Sequence, residues 1–210
     1  MTEEKEVGQF EFKPATGAPV PPESSRAQAF GIFIVELIKV GLLAALTIGL
    51  IRYFLFKPFY VKGASMEPNF YDHEYLIVDE LSYRFRAPAR GEVVVFHYPG
   101  NPKEYFLKRV IGLPGERVKI SEGHVTIYNP EHPEGAAVEE SYLPKDLATV
   151  GEEITTLGDK EYFVLGDNRP NSYDSRRFGP VGLNAIVGRA WFRGWPVSRI
   201  QTFTTPGFNL

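Results

Sequence analysis

Two side chains in this sequence suit each other as nucleophile and base, a serine in a tight turn and a lysine inside an apolar strand. Lys108 lies in the run Tyr105-Phe106-Leu107-Lys108-Arg109-Val110-Ile111-Gly112. Strand alternation puts Lys108 on one face with Phe106 and Val110, and Tyr105, Leu107, Arg109 and Ile111 on the other. A lysine amine among large hydrophobes loses hydration, which disfavours the ammonium and pulls the pKa down. A neutral amine at physiological pH is a base. The same pattern also fits a side chain that snorkels to the surface or meets a carboxylate.

Ser65 sits in Lys62-Gly63-Ala64-Ser65-Met66-Glu67-Pro68. Small residues before it and a proline after it predict a tight turn with exposed backbone N–H groups. Such a turn can present a hydroxyl and stabilise an oxyanion together. Ser65 is in neither G-x-S-x-G nor S-x-x-K, since position 68 is proline, and no histidine is placed to serve it. A base for it has to come from elsewhere in the chain, and a desolvated lysine is the candidate. A plain turn serine is the other reading. A third segment, Gly166 to Val181, packs turn formers, hydroxyls and both charge signs between two apolar strands. It reads either as part of a site or as an Asx-rich turn with solvated charges.

The elements that must position these groups follow from composition and patterning. A chain of 210 residues is enough for one domain with a substantial core, with room for a smaller subdomain or a tail. Its 20 glycines, 17 prolines and 14% aromatics suggest many turns and β-structure rather than a helical bundle. A net charge of -3 gives no reason to expect a nucleic-acid partner. Cysteine is absent, which excludes a thiol nucleophile, a disulfide framework and a cysteine-ligated zinc. His73, His97, His124 and His132 lie in separate segments without H-x-x-x-H spacing, so no metal site is expected.

Residues 1–26 are polar and rich in Glu, Pro and Ser, which predicts a disordered tail. Residues 27–57 are overwhelmingly apolar. Glu36 and Lys39 can pair on a helix and Arg52 can snorkel, so the segment exceeds the roughly 20 residues that a membrane span needs. A buried core helix is the alternative. The long preceding tail and the length of the apolar region suit an uncleaved anchor better than an export signal. Lys5, Lys13 and Arg26 before the helix balance Arg52, Lys57 and Lys62 after it, so charge alone gives no orientation.

From residue 58 to 210, short apolar or alternating runs split by turn residues predict a mainly β, antiparallel domain. The expected strands are Phe59–Val61, Tyr75–Val78, Glu92–His97, Tyr105–Ile111, Arg117–Ile120, His124–Tyr128, Tyr162–Leu165 and Ala185–Phe192. Residues 129–160 are polar and proline-bearing, a loop-rich insertion or smaller β/loop subdomain. The stretch Ala190 to Pro196 suits either a membrane-surface belt or a core strand with its edge.

Ser-Met-x-Pro after an apolar helix, then Lys-Arg-Val-Ile-Gly-Leu-Pro-Gly-Glu from Lys108, then Gly-Asp-Asn-Arg-x-Asn-Ser-x-Asp-Ser-Arg from Gly166 occur in that order. Together they resemble the motifs of bacterial type I signal peptidases, and the strand Arg90 to Phe96 also matches. The resemblance runs from about Ile32 to Trp195. It implies a membrane-anchored serine endopeptidase that cuts signal peptides from exported preproteins after small, A-x-A-type residues. It places the catalytic domain on the outer side of a plasma or inner membrane, on a single-pass helix in the lipid bilayer.

By the same resemblance Ser65 is the nucleophile, Lys108 the general base, and Ser172 the serine that orients the lysine amine. Arg109 with Asp167, and Asp174 with Arg176, match ion pairs that hold the site together. Phe59, Val61, Met66, Phe70 and Leu107 match positions lining shallow pockets for small side chains, and core packing is their blander reading. The oxyanion would meet the Ser65 N–H. Gly63 stands where some members carry a serine that supplies a second donor. No metal, nucleotide or redox cofactor is implied. Rival readings are a self-cleaving repressor-type peptidase and an anchored β module with a dead dyad.

Overall fold

The computed structural model describes residues 26–54 and 56–210, so the expected tail, apart from Arg26, lies outside the described residues. Helix α1 (Arg26–Phe54) contains a largely apolar stretch, Gln28–Leu50, of 23 residues with mean hydropathy 2.2. By length and composition it can cross a membrane. Its 29 residues rise about 43 Å, more than the roughly 30 Å of a hydrocarbon core. Apolar side chains surround the helix instead of forming one stripe. Glu36 and Lys39 do pair, at 2.9 Å, which reduces the cost of carrying both charges in an apolar segment. The helix stops at Phe54 because Phe56 to Pro58 are taken into the first strand.

The rest of the chain is built of antiparallel strands. They are β1 (Phe56–Tyr60), β2 (Tyr75–Asp79), β3 (Val93–Tyr98), β4 (Asn101–Gly112), β5 (Arg117–Ser121), β6 (His124–Tyr128), β7 (Ala136–Ala137) and β8 (Glu153–Thr156). Then come β9 (Glu161–Leu165), a short helix α2 (Ser175–Phe178), β10 (Val181–Gly182), β11 (Ile186–Trp195) and β12 (Gln201–Thr202). The main sheet runs β1-β2-β11-β3-β4-β9-β10, with β12 added beside β11. A second sheet runs β7-β6-β5-β8. It begins upstream of the 129–160 stretch, which supplies only its edge strands β7 and β8.

Alternation explains the core. On β5 and β6, Val118, Ile120, Val125 and Ile127 point the same way and pack with Ile111, Leu157, Phe163 and Leu165, joining the small sheet to the main one. Val61, Met66, Phe70, Leu76, Val93 and Ala190 form a second cluster, with Leu107 against it. Val94, Phe96, Val110, Tyr162, Val164 and Val181 form a third, with Phe106 against it.

Strand β4 changes character along its length. Its first half is exposed, and burial begins at Lys108. Strand β3 pairs along most of its length, from Asn101 to Arg109, whereas β9 pairs only from Arg109 to Gly112. Residues 101–107 therefore keep one edge without a β9 partner. Strand β1 is likewise an edge, paired only to β2.

Candidate active site

Lys108 lies where the second and third clusters meet, opposite Val94 in the β3–β4 register. It is 4% exposed, and its Nζ lies 5.3 Å from the Phe106 ring centre, on the face alternation assigns to both. The amine donates to Ser65 Oγ at 2.8 Å and to the Leu107 carbonyl at 2.9 Å. Burial drives its pKa down to about 8, against the opposing pull of the Asp174 and Asp167 carboxylates. It neither snorkels nor forms an ion pair among the described residues. Protonated, it would be an ammonium in an apolar wall; neutral, it can accept the Ser65 proton.

Ser65 is half-buried in a turn closed by bonds from Glu67 N–H to Ala64 O (3.2 Å) and from Phe70 N–H to Met66 O (2.9 Å). Among the described residues its own N–H has no backbone partner, so it is available to an oxyanion. Gly63 supplies no second donor, because its N–H is given to Asp72 Oδ1 at 2.9 Å. That bond, despite partial opposition from desolvation, holds the Asp72 carboxyl below its usual range. Gly63 has φ of +87°, a conformation that a serine would adopt only with strain.

The segment after β9 clamps this turn. Asn168 N–H donates to Ser65 O at 3.1 Å, and Asn168 Nδ2 to Ala64 O at 3.0 Å. Gly166 is so close that a Cβ there would collide with Ser172 Oγ and meet Ser65 O at 2.5 Å. Ser172 Oγ is shielded from solvent and makes no bond to Lys108. Without a well-aligned partner, it leans instead toward the Asp174 carboxylate.

The expected ion pairs form. Arg109 grips Asp167 through Nε (2.8 Å) and Nη2 (2.6 Å), and Asp167 is fully buried. Arg176 grips Asp174 through Nε (2.8 Å) and Nη2 (2.9 Å). Burial alone would raise the Asp174 pKa, but the Arg176 bond and the Gly166 N–H outweigh it and hold the carboxyl low.

Sequence reasoning missed the props behind this loop. Buried Arg169 reaches from Gly166 O (3.0 Å) to Glu140 Oε2 (2.7 Å) and also bonds Thr149 Oγ1. Tyr142 stacks under the Arg109 guanidinium at 4.0 Å. Asn69 Nδ2 bonds Asp167 Oδ2 at 2.9 Å and Tyr142 O at 3.1 Å. The polar 129–160 excursion thus braces the site. The unusual density of acidic and hydroxyl residues from Glu139 to Thr149 was the only signal for it.

A cavity of about 730 Å³ opens at Ser65 and Lys108. Phe59, Val61, Met66 and Leu107 line it as expected, joined by Leu76, Val95, Tyr105, Phe106, Asn171 and Tyr173. Phe70 is a correction. It is 1% exposed, packs on Phe203 at 4.5 Å and lines a different cavity, because the turn after Met66 carries it into the core. Among the described residues, no group of three or more His, Asp or Glu could hold a metal. The Ala190–Pro196 stretch is part of a core strand with an exposed end. Ala190 and Arg193 are buried, while Trp195 is exposed in register with Tyr75, itself opposite Tyr60.

The sequence profile described as "Signal peptidase, peptidase S26" matches residues 34–195. The chain belongs to this signal peptidase family. Among signal peptidases it is similar to the "Signal peptidase I" of Leptolyngbya laminosa, 38% identical over 90% of this chain and 92% of that protein. The "Probable signal peptidase I-2" of Synechocystis is also 38% identical, over 88% of this chain and 80% of its own length. The "Signal peptidase IB" of Staphylococcus aureus is 34% identical, over 70% and 82%. As a member of the signal peptidase family, the chain is a serine endopeptidase.

Proposed function

We propose that this signal peptidase is anchored by α1 in a plasma or inner membrane, crosses it once, and cuts exported preproteins on the outer side with a Ser65–Lys108 dyad. The observation that carries this reading is the 2.8 Å contact between a desolvated amine and a serine hydroxyl at the floor of an open cavity. Neutral Lys108 takes the Ser65 proton as Oγ attacks the scissile carbonyl, and the Ser65 N–H faces the oxyanion. The ammonium then gives its proton to the departing amine of the mature chain. Water, deprotonated by the same amine, releases the signal peptide from Oγ. In this reading Ser172, whose hydroxyl leans toward Asp174 in this structure, turns to the amine during the cycle.

Substrate fits as an extended segment between the unpaired edges of β1 and of residues 101–107, which flank the cavity. Near Ser65 the walls are Met66 and Leu76, each 1% exposed, with Val61 at 7%. Such well-packed side chains cannot give way, so only small substrate side chains seat there, which supports cleavage of the A-x-A type.

The test is cleavage of a preprotein with an A-x-A site by the full chain in detergent. Wild type is expected to cut, and Ser65→Ala and Lys108→Ala are not. Equal cutting by all three would refute the dyad, and no cutting by any would mean a scaffold. Because the base is the neutral amine, kcat/KM should rise with pH through about 8 and level off above.

A further inference from the structure

The oxyanion donor needs more than a free N–H; it needs a fixed direction. A peptide unit is planar, so the Ala64 carbonyl and the Ser65 N–H point oppositely within one rigid plane. Whatever holds Ala64 O therefore aims Ser65 N–H. Asn168 Nδ2 donates to Ala64 O at 3.0 Å, and Asn168 N–H fixes the following plane by its 3.1 Å bond to Ser65 O. The amide is itself oriented, since Asn171 Nδ2 donates to Asn168 Oδ1 at 3.3 Å. A donor on the carbonyl also polarises the peptide and strengthens its N–H as a donor.

From this we infer that Asn168 is a positioning residue of the oxyanion site, acting on the transition state through the Ala64–Ser65 peptide without touching substrate. The inference rests on Ser65 being the nucleophile. It separates Asn168 from Arg109, Asp167 and Asp174, whose charges bear on the fold and on the lysine. Ala64 O keeps its bond from Glu67 N–H at 3.2 Å when the Asn168 side chain is removed, so the turn is expected to survive.

The experiment compares wild type, Ser65→Ala, Asn168→Ala and Asn168→Asp as full chains in detergent, on a preprotein, across pH. Asn168→Ala should lower kcat by about tenfold or more with KM within about twofold, as for a misaligned catalytic group. The midpoint of its pH profile should stay that of wild type, because Lys108 is untouched. Asn168→Asp keeps the shape but sets an oxygen against Ala64 O, so its plateau kcat should fall below that of the alanine variant. A plateau kcat equal to wild type in the aspartate variant, or an alanine loss confined to KM, overturns the role. If the alanine chain fails to fold, the aspartate comparison alone decides. Wild type that leaves the preprotein intact overturns the dyad reading and this role with it. Wild type that cuts while Ser65→Ala does not leaves only the Asn168 comparison to decide.

Discussion

Lys108→Met should lower kcat/KM roughly 10³-fold or more, since positioned base catalysis alone contributes about 10²–10⁴-fold. The same substitution should leave the folded chain as stable as wild type or more so. The amine is 4% exposed and its pKa falls from 10.5 to about 8 on folding. Between those values the unfolded chain binds the proton and the folded chain does not, so stability rises with pH across that window. Below about 8 the folded state carries the full cost of the buried ammonium, of the order of 3 kcal/mol. Methionine has a similar shape and no charge to desolvate, so it removes that cost. The hydrogen bonds from Lys108 to Ser65 and Leu107 are forfeited, which offsets about 1–3 kcal/mol. The advantage of the methionine variant should be greatest near neutral pH and fade as pH approaches 10.5. Thermal melts of both proteins at neutral and alkaline pH check it, and a large loss of stability at neutral pH would mark Lys108 as a structural ion-pair residue instead.

Arg109→Leu should be the most destabilising single change at the site, by about 3–5 kcal/mol. Its guanidinium pairs through two bonds with a carboxylate that is fully buried, and its Nη1 also donates to Gly91 O at 2.8 Å. Removing it takes away the direct ion-pair partner of Asp167, whose remaining side-chain hydrogen bond among the described residues comes from Asn69 Nδ2 at 2.9 Å. Adding Asp167→Leu to the same chain should recover part of the loss, because the buried carboxylate goes too. A double variant as unstable as the two single losses added together would show that the pair is not coupled. Asp167 also holds the Lys108 pKa up, so Asp167→Asn should move the pH midpoint of cleavage below about 8 in the protein that folds.

Legibility from sequence tracked how local each signal is. The eight expected strands appear, because period-two alternation and turn residues are local signals, although β1 starts three residues and β4 four residues before the expected positions. Strands β7, β8, β10 and β12 went unread. They are short, and they exist only because longer neighbours offer edges to pair with. Lys108 stood out because it breaks the hydrophobic pattern of its own strand, but its pairing with Ser65 was settled only through the resemblance of three motifs taken together. Phe70 misled for the opposite reason. A phenylalanine after a turn suits a pocket wall and a core equally, and only the direction of the turn decides between them. Glu140, Tyr142 and Thr149 could not be assigned at all, since their partner Arg169 lies some twenty or more residues further on. Asn168 was visible as a turn former, yet its bonds run to a turn on another part of the chain.

The proposed catalysis by Ser65 and Lys108 depends on the protonation state of one amine, and that can be read directly. In the full chain in detergent, with lysines carrying a carbon-13 label at Cε, the resonance missing from Lys108→Met identifies Lys108, and its shift is followed with pH. It should titrate with a midpoint near 8, well below the solvent-exposed lysines. A midpoint among theirs, above 10, would contradict a neutral base at Ser65.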